Sequence, residues 1–315
     1  MTEPRSFWSE AFSWQGAATG RILPTTIAFG AFAALIYVLY LTYYPNLTIE
    51  VGPHEVAGVL LSLLLVVRTN AGYDRWWEAR KLWGGIVNQA RNLALLGLAH
   101  GPHDERWRKS FIRWIAAFSW TAKAHLRGES SSPALVPLLG ENEAKRVQTA
   151  EHTPACIALR LDELLRQACE REQGMDRFAF LQAERERTAL LDHLGGCERI
   201  RSTPLASAYS VTIRRFILIY LVTLPFALLH KFEAEWLAPL VTILIAYSVL
   251  MLDRLGLELQ QPFATHSLNH LPLDDICRNI ENNLLALLRQ SNDDYSASPA
   301  VDSADGNDGA CNGPG

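Results

Sequence analysis

Four long apolar stretches, two on each side of a charged middle, constrain this chain more than any other feature. Residues 22–42, ILPTTIAFGAFAALIYVLYLT, contain no charge. A bilayer core needs roughly 20 apolar residues of helix, so this stretch spans. Residues 51–67, VGPHEVAGVLLSLLLVV, are the second, and at about 1.5 Å of rise per residue they fall a little short of the core. The third is FILIYLVTLPFALLH, residues 216–230, which Ser210 to Ile213 can extend. The fourth is WLAPLVTILIAYSVLML, residues 236–252, and the brief turn KFEAE between the last two makes them a membrane hairpin. Whole-chain averages hide this segregation: 49% hydrophobic and 20% charged residues would suit a soluble protein.

Lysine and arginine set the expected orientation. Of the 29 in the chain, 23 fall from Arg68 to Arg215; Tyr43 to Glu50 holds none, and the second turn holds only Lys231. The positive-inside rule then puts the middle and both termini in the cytoplasm. Tyr40, Tyr43, Tyr44 and Trp236 stand where an outer aromatic belt belongs. The expected units are an N-terminal segment with two passes (1–67), a cytosolic domain (68–211), two more passes (212–254), a cytosolic C-terminal segment (255–290) and a tail (291–315). The tail is Gly, Ser, Asp, Asn and Ala with almost nothing to bury, which predicts disorder. Residues 1–20 lack the basic start and apolar core of a signal peptide.

The middle domain reads as helical. In residues 106–126, Trp107, Phe111, Trp114, Ile115 and Phe118 recur at helical spacing, with basic residues on other faces. Residues 153–172 repeat the pattern through Ile157, Leu161, Leu164 and Leu165, with Thr153 as cap and Pro154 in the first turn. Residues 177–200 form a third helix, and no stretch alternates as a strand would. The five cysteines are odd in number, widely spaced and without a C-x-x-C pair, which argues against a disulfide framework or a zinc ribbon. A net charge of −4 does not suggest nucleic acid as a partner.

The stretch RTNAGYDRWWEARKLWGG, residues 68–85, follows the second apolar block without a linker. It is either an interfacial aromatic belt with a basic rim or the same helix continuing into the cytosolic domain. On a helix, Tyr73, Trp76, Trp77, Arg80, Trp83 and Val87 share a broad face, and Asp74, Glu78 and Lys81 another. In the apolar part, Val59, Leu63 and Val67 follow one another at i, i+4 and i+8. Ala57, Gly58 and Ser62 supply small residues for close helix packing. A ring of such helices would enclose a narrow aliphatic tube able to gate ions by dewetting, whereas a lone helix of this kind turns the same residues to lipid or to a packed neighbour.

Three motifs carry a resemblance to a known family: RTNAGYDRWWEARKLWGGIVNQARNL (68–93), CERIRSTPLASAY (197–209) and LELQQPFATHSLNHLPLDDICRNIENNLL (257–285). Over roughly residues 5–290 the chain resembles the bacterial bestrophin family, the RFP-TM chloride-channel-like group. The resemblance implies an all-α membrane protein with four transmembrane helices per subunit and a helical cytosolic domain between the second and third. It implies a homopentamer around a central pore in the bacterial inner membrane, with membrane lipids and permeating inorganic ions as its other partners. The neck would fall on Val59, Leu63 and Val67, with valine at 67 replacing the family's aromatic residue and leaving more room. The cytosolic aperture would lie at Leu205 and Thr203, with Ile200 as a third candidate. Arg68, Asn70, Tyr73, Asp74, Arg75, Trp76, Trp77, Glu78 and Arg80 form the family motif.

One departure bears on metal binding. Where animal bestrophins hold calcium with an acidic run, this chain has Gln261, His266 and Asn269, and only Asp274 and Asp275 remain as carboxylates, at a helix start where they suit capping. Calcium wants six to eight oxygen ligands, so no clasp of that type is expected, and no cofactor. His266 and His270, and His152 with Cys156, are i, i+4 pairs, each a weak candidate for a metal because no third ligand lies near in sequence. No catalytic motif is present, and the central carboxylates alternate with arginines as on a solvated face. A secondary transporter would need ionisable residues at mid-membrane; His54, near the edge of the second span, is the one noted. The chain therefore reads as a channel for monovalent ions, anions marginally ahead of cations, with a carrier or a non-conducting scaffold as alternatives.

Overall fold

The computed structural model describes residues 8, 19–44, 46, 48–130, 132–171, 174–204 and 207–297. These form ten helices of five residues or more: α1 (Thr19–Thr42), α2 (Val51–His100), α3 (Glu105–Arg127), α4 (Leu135–Leu139), α5 (Glu141–Gln148), α6 (Thr153–Cys169), α7 (Arg177–Ser202), α8 (Ser207–Lys231), α9 (Leu237–Leu259) and α10 (Leu273–Ala297). Among the described residues there is no strand. Four helices, α1, α2, α8 and α9, are long and apolar enough to cross a membrane.

Those four pack on one another around Ile36, Leu61, Leu65, Ile217, Leu221 and Leu224. Their ends away from the other helices are tied by Tyr40 Oη donating to Glu235 (2.7 Å) and by Lys231 on Glu55 (2.5 Å). At the opposite ends, Arg21 of α1 and Arg254 of α9 both reach the buried Glu258 at 2.6 Å. Pro239 falls in the first turn of α9, where its missing N–H costs nothing, whereas Pro225 lies inside α8.

The other helices build a body on the far half of α2. Its core runs from Trp83, Ile86 and Leu93 of α2 through Phe111 and Phe118 of α3 to Leu161 of α6, Leu194 of α7 and Ile280 of α10. Asp104 caps α3 by accepting the Arg106 N–H at 2.9 Å, and Gly128 ends it in the left-handed conformation at φ 71°, which only glycine adopts without cost. The basic residues of α3 divide: Arg106 and Lys109 are exposed on its outer face, and two others turn inward. Arg108 and Lys123 are buried, the first donating to the Pro102 and Leu98 carbonyls (both 3.2 Å) and the second to Asp274 (2.7 Å).

Several boundaries differ from the sequence reading. The breaks at 67/68 and 211/212 fall inside α2 and α8, and that at 254/255 inside α9, because hydropathy changes along these helices while their hydrogen bonding continues. The last helix, α10, runs to Ala297, past the expected start of the tail at 291; the remainder of the tail lies outside the described residues. The cap of α6 is His152 and not Thr153: its Nδ1 accepts the Ala155 N–H at 3.2 Å, and Thr153 becomes the first helical residue.

Candidate functional site

The stretch 68–85 is a continuation and not a belt: α2 is one helix of 50 residues, about 75 Å at 1.5 Å per residue. Its packed side runs through Leu61, Leu65, Arg68, Gly72, Ala79, Trp83 and Ile86. The opposite side has no partner among the described residues. Val59, Leu63 and Val67 are 70%, 61% and 50% exposed, and Asn70, Asp74, Trp77 and Lys81 continue the same stripe. At 3.6 residues per turn these seven fall within an arc of about 80°. The upper half of the free stripe is aliphatic and the lower half polar, with Asp74 its first charge. Beside the aliphatic half, α2 and α8 leave an apolar cleft of about 320 Å³ lined by Ala57, Leu60, Leu63, Phe216 and Tyr220. His54 stacks on Tyr220 there, with ring centroids 4.3 Å apart. Glu55, beside it, is a second ionisable residue at this edge, which the sequence reading passed over.

The motif residues separate into the stripe and its supports. Arg68, 0% exposed, turns inward to Asp253 of α9, which Arg214 approaches at 3.5 Å. A basic charge at 68 is therefore consumed within the subunit and does not line the free face. Arg75 reaches the end of α7, donating to the Thr203 carbonyl at 2.7 Å and to the Ile200 carbonyl. Glu78 accepts from Arg199 at 2.8 Å. Trp76 is partly buried and donates from Nε1 to the Asn269 carbonyl at 2.8 Å. Tyr73 and Trp77, their rings 6.4 Å apart and nearly parallel, stay on the open side, and Arg80 is exposed. The expected single aromatic face is thus divided: Trp83 is a core residue, while Trp77 shares the free stripe with Asp74 and Lys81.

The aperture candidates divide too. Ile200 is 3% exposed, in line with Leu194 and Cys197 of α7 in the body core. Thr203 is exposed, its Oγ1 donating to the Arg199 carbonyl at 2.6 Å. Leu205 lies outside the described residues.

Comparison with known proteins places this architecture. The model of the bacterial/fungal bestrophin proteins matches residues 1–286. The chain belongs to the bestrophin family. Similar proteins include a voltage-dependent anion channel-forming protein of Nostoc sp., 32% identical over 291 residues (90% of this chain, 92% of the relative). YneE of Escherichia coli K12, which bears the same description, is 31% identical over 91% of this chain and 93% of its own length. A crystal structure of a bacterial bestrophin homologue from Klebsiella pneumoniae superposes with a TM-score of 0.79 at 28% identity, covering 85% of this chain and 98% of that one. These are not enzyme families, and with its four apolar helices the chain is an integral membrane protein.

In this bestrophin the segment between α9 and α10 is irregular, so i, i+4 spacing does not bring His266 and His270 together. His266 Nε2 pairs with Gln261 (2.9 Å) and His270 Nδ1 with the Ser267 carbonyl (2.7 Å). Asp274 and Asp275 sit in the first turn of α10, but their carboxylates face side chains. Asp274 accepts from Lys123 (2.7 Å) and Arg127 (2.5 Å) of α3, and Asp275 from Arg278 (3.4 Å). Burial pushes the thiols of Cys197 and Cys277 up to about 12, which keeps both protonated and unreactive at neutral pH.

A three-residue cluster escaped the sequence. Glu198 Oε1 lies 2.9 Å from Nε2 of His125 and 3.0 Å from Nε2 of His152. Burial, His152 and Arg201 hold the His125 imidazole below its ordinary range, against the opposing pull of Glu198. The three come from the end of α3, the cap of α6 and the last turns of α7, and no sequence spacing signals such a meeting.

Proposed function

We propose that this bestrophin is one subunit of a homopentameric anion channel of a bacterial inner membrane, with both termini and the helical body in the cytoplasm. The observation that carries the reading is the unpartnered face of α2. A long helix with an exposed aliphatic stripe is unsatisfactory alone, in water or against polar neighbours, but copies arranged about an axis turn that stripe into a tube wall. Val59, Leu63 and Val67 would form the neck. Dewetting of that neck would gate it, and valine at 67 makes it wider than an aromatic ring would. Thr203 and Leu205 would line the cytosolic exit, where Arg75 steadies the Thr203 backbone. The channel-forming, anion-directed names of the relatives support passage of monovalent anions.

A second reading, cation selectivity in the same fold, has its own observation. The first charge below the neck on the free stripe is Asp74, while Arg68 is buried and paired. A ring of carboxylates favours cations. Purified protein in a planar bilayer under a tenfold KCl gradient separates the two, because the reversal potential approaches about 59 mV of one sign or the other for a perfectly selective pore. We expect unitary currents reversing toward the chloride limit. Val59→Ala and Val67→Ala should raise open probability, and Asp74→Asn should move the reversal further toward chloride. Reversal toward potassium that Asp74→Asn abolishes would establish the cation reading. Silence from folded, inserted protein would leave a carrier or scaffold.

A further inference from the structure

We propose that His125, His152 and Glu198 form a binding site for a zinc-class transition metal on the helical body, independent of the pore. The donor set is chemically apt, since two imidazoles and a carboxylate are a common three-ligand shell for zinc, with a fourth position left for water. The geometry is close to complete. Ligand atoms about 2.0–2.1 Å from a tetrahedral zinc lie about 3.3 Å from one another. Here the Glu198 oxygen is 2.9 Å and 3.0 Å from the two Nε2 atoms, and all three ligand atoms fall within 4.8 Å. An outward shift of a few tenths of an ångström would admit the ion. All three side chains are partly exposed, so the ion has a path in and its water a place to stand.

The surroundings hold the ligands, and the cap of α6 is the contact that metal binding displaces. The nearest cation, Arg201, is engaged by the His125 carbonyl at 2.6 Å and offers no lone pair. The His125 and His152 rings lie 4.6 Å apart at 39°, both with Nε2 toward Glu198. Without metal, Nδ1 of His152 accepts the Ala155 N–H, so the ring proton sits on Nε2. A metal at Nε2 takes that proton's place, the ring carries its proton on Nδ1 instead, and the cap of α6 passes to water. Because the ligands come from α3, the start of α6 and α7, the ion would staple together three helix ends that now meet through hydrogen bonds. One of those ends leads through Ile200 into Thr203.

The test is calorimetric titration of the full chain in detergent with zinc sulfate at neutral pH. One saturable site per chain is expected. Glu198→Gln and His125→Ala should each weaken it at least about tenfold, with helix content unchanged, whereas His266→Ala leaves it intact. X-ray absorption of the loaded protein should show nitrogen and oxygen neighbours without sulfur. The proposal is overturned by absence of a saturable site, by wild-type affinity in Glu198→Gln and His125→Ala, by loss in His266→Ala, or by sulfur in the first shell.

Discussion

Asp274 shows how a residue's neighbours decide its role. In sequence it is an acid at a helix start, and capping is the natural expectation; in the fold Lys123 and Arg127 of α3 claim its oxygens. Burial would push its carboxyl up, but hydrogen bonds and charge from those two bases outweigh it and bring it down to about 2. The ordinary value near 3.9 is higher, so the unfolded chain binds the proton more readily. The stability this group contributes is therefore present above about pH 4 and lost as pH falls toward 2. Asp274→Asn should lower the melting temperature at pH 7, leaving Lys123 and Arg127 only the more distant Glu129 (3.5 and 3.8 Å) as an acidic partner, and should flatten the decline of stability between pH 4 and pH 2. Thermal unfolding in detergent across that range checks both effects. The cluster at Glu198 makes the same point: His152 pairs in space with His125 and Glu198, not with Cys156, its neighbour by spacing.

At the scale of the element, α2 carries the architecture. Its apolar first half was legible as a span because hydropathy is a local property. Whether the helix stopped at Arg68 was not legible, since an aromatic, basic stretch suits both a membrane boundary and a core-forming helix. Tertiary contacts settle it: Arg68 is taken up by Asp253, and Gly72 lets α9 approach, with the Gly256 carbonyl 2.8 Å from where a side-chain carbon would stand. Breaking a buried pair by removing one partner costs about 3–5 kcal/mol. Arg68→Met should therefore lower the yield of monodisperse protein in size-exclusion chromatography and its melting temperature. The double change Arg68→Met with Asp253→Leu should recover much of both, because the poorly compensated buried carboxylate is then gone and Arg214, 55% exposed, can be solvated.

For the whole molecule, the exposed aliphatic stripe of α2 is left uncovered by the described residues, open to lipid or to another copy. Assembly about an axis would cover it, and light scattering with correction for detergent should return five times the 35.2 kDa of the chain. A monomeric mass would leave Val59, Leu63 and Val67 facing lipid, and the neck reading would fall with it. The division into a membrane layer and a helical body was readable in outline because charge and apolar residues are segregated in blocks tens of residues long. Each expected edge lies within a continuous helix, which composition does not mark.

By itself the sequence determined the helical class, the four apolar spans, the membership of the bestrophin family and the face of α2 bearing Val59, Leu63 and Val67. Each of these depends on periodicity, composition or motif, all of which are local along the chain. Only the tertiary structure decided that Arg68 is buried with Asp253, that Ile200 belongs to the core, that Asp74 and not Arg68 follows the aliphatic stripe, and that His125, His152 and Glu198 converge. Those facts arise from contacts between residues tens to hundreds of positions apart. A side chain's charge, burial and partners are set by what folds against it, and spacing in the sequence carries no record of that.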